Sequence, residues 1–409
     1  MRLRFILPLA VICCIVITGC GQIAGYADFE IVETVPAETN LGYSGARNPH
    51  DVWLEMIRGA KKSLDFEEFY LSTKKGEQLE DIIDAIIDAG KRGVTVRLIA
   101  DAHMDKTYPE TVDRLGKSTN ITARLIDYGK LAGGVQHSKY FIVDGKEIYI
   151  GSQNFDWRSL KHIHELGVRI RDDEAVKAYS DIFNIDWQLA EQNDPALIKS
   201  VVSPKQYNLP INVVEAPGDT LTYYPTMSPK GIIADSTLWD ETNVVKLIDD
   251  AKSSVMLQSL TYSTEVYGGG KYTVIDSALR RAAARGVKVK LITSDWSIGS
   301  PTIDCLKNLA QVPNIEVKYT AIPQYSGGYI SFARVEHCKY LVVDSVQSWI
   351  GTSNWEKGYF YSLRNLGVVV KSAKINGILQ TIFLKSWNSP YANAITPDGT
   401  YNVRKHGGE

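Results

Sequence analysis

The chain has 409 residues, 44% of them hydrophobic and 22% charged, and a formal net charge of −2. That is ordinary globular composition with ample length for two cores. The near-neutral charge excludes the broad basic surface of a protein that coats duplex nucleic acid, although local lysines could still grip one strand.

Arg2 and Arg4 precede an apolar run from Phe5 to Ile17, followed by Thr18, Gly19 and Cys20. These are the three parts of a secretory signal peptide, and the run is short for a membrane span. A cysteine directly after a small residue here resembles a bacterial lipobox, with Ile17 and Thr18 in place of the usual Leu and Ala or Ser. Residues 1–19 are therefore read as a signal peptide and Cys20 as the lipidated first residue of an exported, membrane-anchored lipoprotein. Gln22 favours the outer membrane or cell surface. Without residues 1–19 the charge becomes −4 (43 − 47), since two arginines leave and no acid does. Residues 20–45, with Pro36, read as a lipid-proximal tether.

Asn48 and Pro49 read as a helix N-cap and first helical position. Helix and strand patterns then alternate: helix from Val52 to Ala60, strand from Ser63 to Tyr70, helix from Leu79 to Gly90, strands from Val94 to Ala100 and from Ile121 to Ile126. A second series repeats the first: helix from Val244 to Ala251, strand from Val255 to Thr261, helix from Val274 to Ala284, strands from Val287 to Thr293 and from Ile315 to Tyr319. The junctions match, since Gly93 and Val94 lead to Asp101 as Gly286 and Val287 lead to Asp295. This pattern predicts an α/β fold of two duplicated domains, 46–203 and 218–390, with a linker at 204–217 and a C-terminal tail at 391–409.

Each series ends in the same motif. His137, Lys139 and Asp144 precede Gly151, Ser152 and Asn154; His337, Lys339, Asp344, Gly351, Thr352 and Asn354 follow at a constant offset of 200 residues. Alternate strand residues share a face, so His and Lys of each copy converge while Ser138, Cys338 and Tyr140 turn away. The glycines read as strand ends where a ligand approaches closely. Two imidazoles, two ammonium groups, two amides and two hydroxyls suit a phosphodiester: the cations and polar donors hold non-bridging oxygens while imidazoles attack and protonate.

Both copies resemble the signature of the phospholipase D superfamily, H-x-K-x4-D with a downstream G-[ST]-x-N. The stretches 151–160, 278–290 and 350–360 are similar to the branch holding mammalian lysosomal 5′ exonucleases of the spleen type and poxvirus envelope and nicking-joining proteins. The resemblance implies α/β/α sandwich domains packed about a pseudo-twofold axis with one shared active site. It also implies a carboxylate at Glu165, 28 residues after His137, bonded to the nearby histidine; the second copy has Asn365 instead. On that basis, and because the superfamily uses the histidine of the first half, His137 is expected to be the nucleophile, forming a phosphohistidine, and His337 the acid, against the counterargument that a carboxylate partner also favours the acid role. Lys139, Lys339, Asn154 and Asn354 are expected to hold phosphate oxygens, Ser152 and Thr352 to support them, and Asp144 and Asp344 to brace the strands.

Other features carry less chemistry. Cys305 and Cys338 read as buried thiols in preference to a disulfide. His162 and His164 lack further ligands for zinc, so no metal and no cofactor are expected. Gly133–Gly134 and Gly268–Gly270 read as flexible loops. Of Glu67 and Glu68, only one is expected to face the buried side of its strand. Single-stranded nucleic acid processed from a 5′ end is the leading substrate, a membrane phospholipid the alternative, and a non-catalytic membrane scaffold a third reading. Stacked aromatics in the cleft would favour a strand, exposed apolar loops around it a bilayer.

Overall fold

The computed structural model describes residues 24–216 and 219–407. The expected signal peptide and Cys20 lie outside the described residues, and among those described no helix is long and apolar enough to cross a membrane.

Two sheets repeat one strand order. The first runs Gly25–Tyr26, Phe29–Thr34, Glu165–Arg171, Glu147–Gly151, Lys139–Val143, Ser63–Glu68, Thr95–Asp101, Ile121–Ile126. The second runs Ile211–Ala216, Asp219–Ser228, Asn365–Lys371, Gln347–Gly351, Tyr340–Val343, Ser254–Gln258, Lys288–Ser294, Ile315–Thr320, Ala392–Ala394. The strands after each opening helix pair in parallel and the motif strands antiparallel. This is the duplicated α/β architecture that the alternation predicts.

Both faces of the first sheet are covered. Leu64, Phe66, Phe141 and Val143 pack under the helices Pro49–Gly59 and Leu79–Lys91, while Tyr140, Ile142, Val168 and Ile170 turn the other way onto a core that both halves share. The opening helix is capped as expected, Asn48 accepting from the His50 N–H at 2.9 Å, with Pro49 at its first position. Helices Asp173–Gln192 and Ala373–Trp387, which the sequence analysis left unassigned, follow equivalent strands in the two halves. Asp172 and Ser372 cap them.

Four expectations are corrected. The first domain begins before residue 46, inside the expected tether: Phe29–Thr34 is fully buried and pairs with Glu165–Arg171. Part of the linker is strand Ile211–Ala216. The tail docks, its strand Ala392–Ala394 pairing with Ile315–Thr320. Glu67 and Glu68 are both buried, because a sheet covered on both faces buries an acid whichever way it points. Cys305 and Cys338 are free and buried.

Candidate active site

The site forms where the motif of each half meets the strand start of the other. Gln136 bridges Arg364, and His164 bridges Glu336. The His137 N–H donates to the Arg364 carbonyl at 3.0 Å and the His337 N–H to the His164 carbonyl at 2.8 Å. Each histidine is therefore laid beside the residue that follows in the opposite half. His137 Nδ1 meets Asn365 Oδ1 at 2.9 Å, and His337 Nδ1 meets Glu165 Oε2 at 2.7 Å. The pairing is crossed, which corrects the expectation that Glu165 serves His137.

The network assigns the His137 tautomer. Asn365 Nδ2 donates to the carbonyls of Tyr359 at 2.9 Å and Leu363 at 3.4 Å, so the amide oxygen is the atom facing the imidazole. Thr352 Oγ1 donates to that same oxygen at 2.8 Å. His137 Nδ1 thus carries the hydrogen and Nε2 keeps its lone pair. In the other half Ser152 Oγ donates to Glu165 Oε2 at 2.5 Å. Ser152 and Thr352 therefore orient the partners of the histidines.

Burial dominates the charges. It holds both imidazoles well below the usual histidine range, helped by the two lysines. It also draws Lys139 well down, with Lys339 repelling it, and lowers Lys339 to about 8. Glu165 is held up at about 8 by burial, against the pull of Lys339. Lys339 Nζ donates to the His337 carbonyl at 2.8 Å, and Lys139 Nζ donates likewise to the His137 carbonyl. An anion among these groups would restore the ammonium and imidazolium forms.

His137, His337, Asn154 and Asn354 line one cavity of about 340 Å³, at the small end of the range for ligand sites. Asn154 Oδ1 is buried and has no partner among the described residues, while Asn354 Nδ2 donates to the Tyr359 hydroxyl at 2.9 Å. The walls are aromatic: Phe69, Tyr70, Tyr108, Trp296, Phe332 and Tyr359. Tyr70 and Tyr108 stack at 5.0 Å, and the rings of Phe69 and Tyr359 each lie 5.0 Å from the His137 ring. None of these six belongs to a repeated motif, so no spacing in the sequence marks them. Glu68, to which the sequence assigns no role, pairs in register with Lys139 and tempers its loss of charge.

The remaining expected residues stand apart from the cavity. Asp144 accepts from the N–H groups of Lys61, Lys62 and Ser63, and Asp344 from those of Lys252, Ser253 and Ser254, at the far ends of their strands. Gly351 makes room for packing and not for a ligand: a Cβ there would lie 2.4 Å from the Trp349 ring and 2.7 Å from the Leu366 carbonyl oxygen. His162 packs against Trp157 and Tyr325. His164, Glu336 and Cys338 bring ligand-type atoms within 4.8 Å of one another, but Glu33 and Glu336 already engage the two ring nitrogens of His164.

The family described as "Cardiolipin synthase, PLD-like domain" matches residues 53–187 and 244–387, one match per half. The chain belongs to the phospholipase D superfamily. Phospholipase D Z of Dictyostelium discoideum is 30% identical over 389 residues, 90% of each chain. The 5'-3' exonuclease PLD3 of Xenopus laevis is 32% identical over 400 residues, 89% of this chain and 80% of that one. The virion nicking-joining enzyme of vaccinia virus (strain Western Reserve) is 32% identical over 385 residues, 88% of each. The chain is a phosphodiester-cleaving enzyme of this superfamily, and its relatives include the exonuclease and poxvirus branch that its motif stretches resemble.

Proposed function

We propose that the chain shortens single-stranded nucleic acid from a 5′ end, without a metal, through a phosphohistidine on His137. The crossed pairing supports these roles. An amide accepts the His137 Nδ1–H but does little to stabilise a cation, so the ring stays neutral with Nε2 free to attack phosphorus. A carboxylate does stabilise the imidazolium that His337 needs as an acid. The roles are those expected from the sequence, with the crossed pairing as their reason. In the first step the Nε2–P bond forms while the bond to the leaving oxygen breaks, and His337 gives that oxygen its proton. In the second, His337 takes a proton from water, whose oxygen displaces His137. Lys139, Lys339, Asn154 and Asn354 hold the non-bridging oxygens, supplying the charge stabilisation that the phosphoryl group requires.

The observation that carries the substrate is the aromatic wall, since every base offers a face to stack on. Phospholipid turnover is the second reading, favoured by the half-exposed Phe332 and Tyr329 and by the similarity to phospholipase D Z. A lipid anchor at Cys20 would hold the cleft beside a membrane, and release of the full chain from membranes by Cys20→Ala checks that placement.

The test takes protein starting at Gly21, in EDTA, with a 3′-labelled, 5′-hydroxyl single-stranded oligonucleotide from acidic to neutral pH. Stepwise shortening that His137→Ala abolishes is the expected result. Intact oligonucleotide together with headgroup release from phosphatidylcholine or phosphatidylglycerol vesicles would replace the reading with the phospholipid one.

A further inference from the structure

Phe332, on the aromatic wall, has φ +57°. Bulky residues rarely take this left-handed conformation, and it persists only where the surroundings hold it. The hold comes from the C-terminal segment. The Phe332 N–H donates to the His406 carbonyl at 2.6 Å, and a Cβ at Gly407 would lie 2.5 Å from the Phe332 ring. The same segment braces Trp296. Arg404 pairs through Nε with the buried Asp295, next to Trp296 in the chain, and donates through Nη1 to the Ile322 carbonyl at 2.8 Å. The Trp296 ring lies 5.3 Å from the His406 ring and 6.1 Å from the Phe332 ring. Arg404 and His406 do not line the cavity, whereas Trp296 and Phe332 do. The segment also lies beyond residue 387, where the family match ends.

We propose that residues 401–407 are a strap that builds one wall of the cleft by fixing Trp296 and Phe332, and that this wall sets the affinity for the nucleobase of the substrate. The proposal rests on the single-strand reading above. Arg404 and His406 act as positioning residues, and Trp296 and Phe332 stack on the base. Because the strap touches neither histidine of the motif, it acts on binding and leaves the chemical step alone.

The test removes residues 401–409 from the otherwise complete chain. It compares KM and kcat on two 5′-hydroxyl oligonucleotides that differ only in whether the 5′-terminal nucleotide carries a base. Loss of one stacked base is expected to raise KM for the base-bearing strand about tenfold. The abasic strand should keep its KM, and kcat should stay within about twofold on both. Phe332→Ala should reproduce part of the effect, and truncation in a background that carries both Trp296→Ala and Phe332→Ala should add nothing. Should the truncated chain fail to fold, Arg404→Ala is read the same way. Equal losses on both strands, or a fall in kcat at constant KM, overturn the strap while leaving the exonuclease reading standing. A wild-type protein that shortens neither strand overturns both.

Discussion

At the scale of single residues, the two motif histidines have the same neighbours in sequence and different partners in space. Burial keeps both rings neutral in the empty cleft, so their partners decide which one can hold a proton during the reaction. Glu165, held at about 8, shares one proton with His337 below that pH and loses it above. The acid proposed at His337 is therefore available below about pH 8, and kcat/KM should fall as pH rises through that value. Lys339, also near 8, loses its charge over the same range and steepens the fall. Glu165→Gln keeps an oxygen for the imidazole but removes the charge that holds the proton. It should lower kcat by about 100-fold, the usual worth of a general acid, and move the alkaline limb to lower pH. A pH–rate profile checks this. A limb that stays near pH 8 in Glu165→Gln would mean that Lys339 sets it and that Glu165 does not serve the acid.

At the scale of elements, what could be read from the sequence is what repeats within a short window. The alternation at Ser63–Glu68, the apolar run at Lys139–Val143 and the cap at Asn48 are local patterns that place the elements, and the motif, itself local, is recognised because it recurs 200 residues later. The crossed pairing was not legible. Glu165 and Asn365 stand at the same distance from their own histidines, so that spacing fits either arrangement. The strand Phe29–Thr34 was hidden by its acids. Glu30 is buried against Arg47 at 2.6 Å, and Glu33 against the Tyr43 N–H at 2.7 Å and against His164 at 2.8 Å from 131 residues away. His164 also bonds Glu336 of the other half at 2.7 Å, forming a buried triad with Glu33 in which burial opposes the imidazolium while Cys338, Glu336 and Glu33 favour it. Glu336→Gln removes one charge of this set and should cost about 3 kcal/mol in urea unfolding at neutral pH, as removal of one partner from a buried pair does. The sign follows from the raised pKa of His164. Its contribution is complete below the ordinary histidine value and is lost as pH rises through the raised one, so the difference between wild type and variant should shrink in alkali. A cost below about 1 kcal/mol at neutral pH would show that the triad is uncharged.

At the scale of the whole molecule, the halves share a core. One cluster of buried residues runs from Phe29, Tyr179 and Phe183 of the first half to Leu221, Tyr223, Leu379 and Trp387 of the second. The rings of Phe29 and Tyr223 meet at 5.3 Å. Across the same interface Arg364 pairs with Asp186 at 2.6 and 2.8 Å and donates to the Ser228 and Ile232 carbonyls, so this buried guanidinium is satisfied by both halves. Exposing one half would therefore uncover apolar surface and strand a buried charge on the other, which couples their unfolding. A single calorimetric transition is expected, with calorimetric and van't Hoff enthalpies in agreement. Leu379→Ala, deep in the second half, should cost about 2–5 kcal/mol and lower hydrogen-exchange protection in Lys139–Val143 of the first half by the same amount. Because each motif histidine takes its partner from the opposite half, phosphodiesterase activity should disappear along this one transition. Two resolved transitions, with Lys139–Val143 still protected after the second half has melted, would mean that the halves fold separately and that docking, and not folding, assembles the crossed pairs.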